Sequence, residues 1–185
     1  MELLQAVNTV LPYLNAHVIT RIETAKHPTV DLILAAIERQ RITLLTNGWW
    51  FNEMDLTIPV NTDGQIDVPK DTVTVIGLDC KVAIDGEKFY DLENATRYFT
   101  KPIKVRIYRD LPFNRLPYVG ALAITYLAGI EVYTADLGAE DSLQIMQSFA
   151  TTNMQLLRQE NLRNRRYNAN YNARQRSSYS WLRFR

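Results

Sequence analysis

The chain is poor in the residues from which most catalytic and metal centres are built. Cys80 is the one cysteine in 185 residues. No internal disulfide can form, and with no base or metal partner near it in sequence the residue reads as an inert strand position. His17 and His27 are the only histidines. They lie ten residues apart near the first helix connection, form neither a His-rich metal site nor an HExxH pair, and fit solvated or capping roles. The seven glycines are scattered and make neither GxGxxG nor a P-loop. Asp63, Asp67 and Asp71 do not follow the ligand order of a calcium loop, and turn or strand-edge duty suits them better. No catalytic residue, metal site or cofactor is therefore expected, and an enzyme is not the expected class.

Long apolar runs are also missing. The most apolar uncharged stretch, Leu116 to Ile130, covers 15 residues, short of the roughly 18 that suggest a membrane span. Met1-Glu2 opens an amphipathic helix rather than a basic segment followed by an apolar one, so a soluble protein of a reducing cytoplasm, without a membrane partner, is expected. A content of 46% hydrophobic and 22% charged residues fits one globular domain, or one domain carrying an insertion.

Acid is absent from the end of the chain. From Arg158 to Arg185 there are eight arginines against Glu160 alone, which gives +7; subtracted from the net +1 this leaves −6 for residues 1 to 157. An acidic body thus carries a basic arm. In the arm Tyr167, Tyr171, Tyr179, Trp181 and Phe184 alternate with arginines and asparagines. Without an apolar stripe the segment cannot build a core and is expected to be extended, yet it offers bidentate donors and aromatic anchors to a partner.

What is present has a clear order of helices, strands and helices again. Leu3, Leu4, Val7, Val10, Leu11 and Leu14 predict a first helix from Leu3 to about Val18, with a kink ahead of Pro12. Val30, Ile33, Leu34, Ile37, Leu44 and Leu45 recur at spacings of three, four and seven and predict a second helix of about five turns. Gly48 should end it, because a residue without Cβ can take the left-handed conformation. Gly48, Trp49, Trp50, Phe51 and Asn52, followed by Glu53, then mark a structural junction at which the aromatics pin sheet to helices as core. Frequent turn signals and short periodicity predict strands at 50–58, 65–68, 72–78, 80–84, 87–90 and 103–109. Beyond Leu116-Pro117 an Ala- and Gly-rich helix follows, closed at Gly138, with Gly120, Ala121, Ala128 and Gly129 allowing close approach of a neighbour. A last helix, capped by Asp141 or Ser142, runs through Leu143, Met146, Phe149, Ala150, Asn153 and Leu157.

The expected class is α+β: an antiparallel helical bundle of N- and C-terminal helices (1–48 and 110–166), a central β-hairpin or sheet insertion (49–109) and an extended basic C-terminal arm (167–185).

From Leu3 to about Leu157 the chain resembles the tail tubular protein A family, the head-to-tail adaptors of short-tailed bacteriophages. The resemblance rests on the opening helix pair, on Gly48-Trp49-Trp50-Phe51-Asn52-Glu53, and on Val105-Arg106-Ile107-Tyr108-Arg109-Asp110-Leu111-Pro112 leading through Pro117 into the Ala-rich helix, the acidic Ala139-Glu140-Asp141 loop and the final helix. The arginine-rich end is more basic than the family pattern. The resemblance implies a structural virion protein, assembled in the host cytoplasm. It further implies a homo-oligomeric ring of twelve copies, joining the portal protein to the tail nozzle (a tail tubular protein B-like partner), with double-stranded DNA passing through the lumen. It implies that the bundle packs between neighbours, that the arm reaches towards the portal and that the β insertion faces outward or down to the tail. Arg163, Arg165, Arg166, Tyr167, Tyr171, Arg174, Arg176, Tyr179 and Trp181 are then the candidate interface with portal or neighbouring subunit.

Two rivals come from other classes. A nucleic-acid-binding module would use the aromatic junction as a stacking platform and the arm as an electrostatic tether, although Glu53, Asp55, Asp67 and Asp79 on the strands oppose it. A carbohydrate-cutting enzyme would need two carboxylates converging beside Trp49.

Overall fold

Pro12 decides how the chain begins. Helix α1 spans Leu3–Val10, and the next four residues, Leu11–Leu14, tighten into a 3-10 turn that ends at Asn15 in the left-handed conformation (φ 53°). The expected continuation to Val18 does not occur. The ring of Pro12 supplies no N–H for the helical ladder, and Asn tolerates a left-handed backbone better than most residues. Among the described residues, 1–23, 27–136 and 141–165, the computed structural model contains three further helices: α2 (Pro28–Leu45), α3 (Tyr118–Asp136) and α4 (Asp141–Asn164). Pro28 stands at the start of α2, where its missing donor is harmless. The 18 residues of α2 make the five turns read from the periodicity. Helix α4 runs further than the apolar pattern through Leu157 indicates.

Helix α3 is central, packing against α1, α2 and α4. An 18-residue stretch of it, Tyr118–Ala135, is long and apolar enough by composition to cross a membrane, and half of that stretch is buried inside the protein. We read it as the core helix of the fold. Of its small residues, Gly129 has the role expected of it: a Cβ there would meet Met146 Sδ at 3.1 Å and Val10 methyls at 3.2 Å, whereas one on Gly120 would make only ordinary contact with Leu157 at 3.5 Å. Gly129 therefore lets α1 and α4 close on α3 together.

Strands β1 (Glu53–Ile58), β2 (Thr72–Gly77) and β5 (Ile103–Arg109) form an antiparallel sheet in the order β1-β5-β2, while β3 (Val82–Asp85) and β4 (Lys88–Asp91) make a separate hairpin. Along β5, Ile103, Val105 and Ile107 point inward and Lys104, Arg106 and Tyr108 point to the other face, the alternation expected of a sheet covered on one side. The inward set packs with Ile66, Phe89 and Phe99. A second cluster joins Val7, Val10, Leu11, Ile33, Ile37, Leu45, Ile124 and Leu157 of the helices to Trp49, Leu111 and Phe113. The molecule is thus a mixed α+β protein.

Three strand boundaries differ from expectation. Residues 50–52 form a turn rather than the start of β1, because the Asn52 and Glu53 amides both donate to the Trp49 carbonyl, at 3.1 and 3.0 Å. Residues 65–68 contribute an isolated bridge, Asp67 with Lys88, in place of a strand. Cys80 lies in the turn ahead of β3 rather than in a strand. There the backbone doubles back so tightly that a Cβ on Gly77 would collide with the Cys80 carbonyl.

Candidate assembly surface

The junction between helices and sheet is built by Gly48 and Asn52. Gly48 adopts φ +67°, and an added Cβ would fall inside the Tyr108 ring of β5, so both conformation and space require glycine. This turns the chain out of α2 and lays Trp49 into the helical core. Trp49 is 5% exposed, and its indole N–H donates to the Leu44 carbonyl at 2.7 Å. Asn52, 1% exposed, is the polar lock: its side-chain oxygen accepts the Trp49 amide at 2.7 Å, and its amide group donates to the Leu45 carbonyl at 3.0 Å and the Arg109 carbonyl at 3.2 Å. One side chain thereby ties the end of α2, the turn and β5 together. Phe51 lies parallel to Trp49 at 6.5 Å between ring centres and receives the Trp50 ring edge-on at 4.9 Å.

The end of α4 closes over this junction. Asn161 Oδ1 accepts the Trp50 amide at 3.0 Å, Arg165 donates to the Gly48 carbonyl at 3.1 Å, and the same guanidinium pairs with Glu53. Glu53 also faces Arg106, at 3.0 Å, which is held by Asp55 at 2.7 Å. Hydrogen bonding from Arg106 keeps the Asp55 carboxyl below its usual range. Among the interface candidates, Arg165 is therefore anchored at the structural junction and Arg163 sits exposed on the last turn of α4. Arg166, Tyr167, Tyr171, Arg174, Arg176, Tyr179 and Trp181 lie outside the described residues, as do Gly138 and most of the acidic 139–141 loop. The sequence linked the aromatic junction and the arm to separate roles, and no spacing rule could join Arg165 to Gly48, 117 residues earlier.

A second tie holds the α2 side. Arg41, 6% exposed, donates to the Leu111 carbonyl at 2.6 Å and pairs with Asp110 and, at 2.6 Å, with Glu38. Hydrogen bonding from Arg41 holds the Glu38 carboxyl low, burial opposing it in part. Arg41 lies off the apolar stripe of α2, and its burial is a tertiary effect, because the Asp110–Leu111 segment packs against that side of the helix.

The chemistry available elsewhere is limited. An open depression of about 440 Å³ is lined by Asp79, Cys80, Asp91, Glu93, Tyr98, Phe99 and Lys101 among others. The Asp91 carboxylate in it is already occupied by Asn94 and by the amides of Glu93 and Asn94, at 2.7 to 3.1 Å. Burial, aided by neighbouring Asp79, pushes the Cys80 thiol up to about 11, which suits an inert sulfur rather than a nucleophile. Among the described residues no group of three or more His, Cys, Asp or Glu could hold a metal ion. Trp49 is too buried to serve as a stacking platform, and the acid beside it, Glu53, is engaged by two arginines.

Against known proteins, the tail tubular protein family model matches residues 4–167. A curated relative, tail tubular protein A of Klebsiella phage KP34, is 31% identical over 169 residues, covering 90% of each chain. The chain belongs to the tail tubular protein family. Membership makes it a structural component of a phage tail, and this family is not one of enzymes. The match runs from α1 through both ties of the junction and past the end of α4, so it takes in the whole described tail tubular fold.

Proposed function

We propose that the chain is a head-to-tail adaptor: a ring, of twelve copies by family resemblance, that joins the portal protein to the tail nozzle and lets the genome pass through its lumen. Residues 1–48 and 110–166 act as the helical frame, 49–109 as the β insertion, and 167–185 as the docking arm. The observation that carries this reading is the family match over residues 4–167, and the arm's origin supports it. Because Arg165 and Asn161 fasten the end of α4 to the Gly48–Glu53 turn, the following residues start from a fixed place on the body. Arg163, Arg165, Arg166, Arg174 and Arg176 supply charge, and Tyr167, Tyr171, Tyr179 and Trp181 supply anchors, for an acidic groove on the portal or an adjacent copy. The mechanism is geometric: hold two tail parts together, keep a pore, and resist packaged DNA, with an acidic body avoiding tight phosphate contact.

The direct test is electron microscopy of the full chain mixed with portal complexes, beside a version lacking residues 167–185. The full chain should cap the portal as a ring, and the truncated one should fold but not dock. Normal docking by the truncated chain would remove the arm from the mechanism. Absence of any ring, with salt-sensitive binding to single-stranded DNA instead, would favour a nucleic-acid module.

A further inference from the structure

The three-stranded sheet has one covered edge and one open edge. On the covered side β3 packs against β2, and Val73, Val75 and Gly77 are all partly buried. Among the described residues no strand lies beyond β1, where Met54, Asp55 and Thr57 are exposed. The ladder fixes which backbone groups face out. The Asn52 carbonyl accepts the Arg109 amide at 2.8 Å, so the alternation of an antiparallel pair gives β5 the N–H and C=O groups of Met54, Leu56 and Ile58 and turns those of Asp55 and Thr57 away from it. Natural edge strands are usually blunted by lysine, proline or a bulge. Strand β1 has none of these: its pairs with β5 run in unbroken register, and its two charges, Glu53 and Asp55, are drawn to Arg106 and Arg165.

The open edge is apolar on one face and polar on the other. Met54, Leu56 and Ile58 pair with the inward Ile107, Val105 and Ile103, and Met54 is left 39% exposed where the sheet stops. Asp55 and Thr57 lie on the opposite face beside Arg106 and Lys104. A strand that continues this sheet needs apolar side chains on one face and hydrogen-bonding ones on the other, at a period of two. The chain holds such a sequence at the right place. Arg165 is bonded to the Gly48 carbonyl and to Glu53, the first residue of β1, and 20 residues follow it. After Arg166, the run Tyr167-Asn168-Ala169-Asn170-Tyr171-Asn172-Ala173 alternates Tyr and Ala with Asn without a break. Its length matches the 6 residues of β1, each being roughly 20 Å when extended. So short a tether also holds the segment at an effective concentration of about a millimolar or more.

We propose that residues 167–173 add to the free edge of β1 in their own subunit as a fourth strand of that sheet. The Tyr and Ala row continues the apolar face of Met54, Leu56 and Ile58, and the asparagines continue the face of Asp55 and Thr57. The added strand runs parallel to β1, because it starts where β1 starts. A slip of one residue would set the asparagines against the apolar row, so the pattern itself selects the register. The pairing stands apart from the ring reading: it occurs within a single subunit and leaves Arg174, Arg176, Tyr179 and Trp181 to reach a partner.

The test is residue-resolved hydrogen exchange on the full chain, kept dilute enough to remain unassembled, beside a chain ending at residue 165. The Asp55 and Thr57 amides should exchange at least about tenfold more slowly in the full chain, since only an added strand can bond them. Ala169→Pro/Asn170→Pro removes a donor from the added strand whichever set of amides faces β1 and should abolish that protection. Tyr167→Ser/Tyr171→Ser should weaken it, while Asn168→Ser/Asn172→Ser should keep it. Equal exchange at Asp55 and Thr57 in the full and shortened chains overturns the pairing. Protection that grows with protein concentration gives the edge to the arm of a second copy, and protection that needs portal complexes gives it to the portal; both overturn pairing within the subunit. Loss of portal capping with this protection intact removes the adaptor reading alone.

Discussion

Asn52 carries more of the fold than its size suggests. It is almost wholly buried and serves one backbone donor and two backbone acceptors, from the end of α2, from Trp49 and from β5. Replacing it with alanine leaves the Trp49 amide without its acceptor and strips one donor each from the Leu45 and Arg109 carbonyls, a loss on the order of 3 kcal/mol. For a chain of this length, melting should fall by roughly 6–12 °C. Differential scanning calorimetry of Asn52→Ala against the wild type checks this, and a shift within about 2 °C would show that water replaces the side chain. The residues around it were legible to different degrees. Gly48 announced its turn by standing at the end of an apolar periodicity, and the three aromatics announced burial by their bulk. Asn52 announced little, because a polar residue in a turn looks the same whether it faces solvent or closes a core.

At the scale of elements, α2 is fixed at one end by the Asn52 lock and along its side by Arg41. Removing the Arg41 guanidinium strips the Leu111 carbonyl of its donor and leaves Glu38 and Asp110 unpaired. Because both carboxylates are about half exposed, water recovers part of the loss, and Arg41→Met should destabilise by on the order of 2 kcal/mol. The pH dependence has a defined sign. A folded-state carboxyl held below its ordinary value stabilises above the ordinary carboxylate range, and that contribution disappears as pH falls through the folded value. The wild type should therefore lose stability on acidification through roughly pH 5 to 3 more steeply than Arg41→Met. Urea titrations of both proteins at several pH values measure the difference, and parallel curves would rule out Glu38 as the source. Elements whose period belongs to one segment, such as α2 and β5, were readable from sequence. The short early helix, the bridge at Asp67 and the turn at Cys80 were not, since a proline, a missing neighbour strand and a tight backbone reversal set them.

For the whole molecule, the decisive contacts are those that span the longest sequence distances. Arg165 meets Gly48 and Glu53, and Asn161 meets Trp50, so the last helix is sewn to the first helix-to-sheet turn. The Arg165–Glu53 pair is partly buried, with side chains 33% and 18% exposed, and it holds a helix end that can open without the rest of the protein. Asn161→Ala/Arg165→Ala should accordingly leave melting almost unchanged while amide exchange across residues 158–165 speeds up markedly, since only the local opening is made easier. Hydrogen exchange monitored by mass spectrometry reads this directly, and unchanged exchange there would show that packing of Leu157 alone holds the helix end. The family was legible because its order of elements and its junction lie in contiguous sequence. The clasp was not, because it joins single residues more than a hundred positions apart.

That clasp also sets a load path. Any tension on the chain beyond residue 165 enters the body at the helix-to-sheet turn, through a guanidinium that grips the Gly48 carbonyl and the Glu53 carboxylate and an Asn161 side-chain oxygen that holds the Trp50 amide. Force applied there pulls along α4 and across the turn at once, so it is shared between helices and sheet instead of peeling either one away.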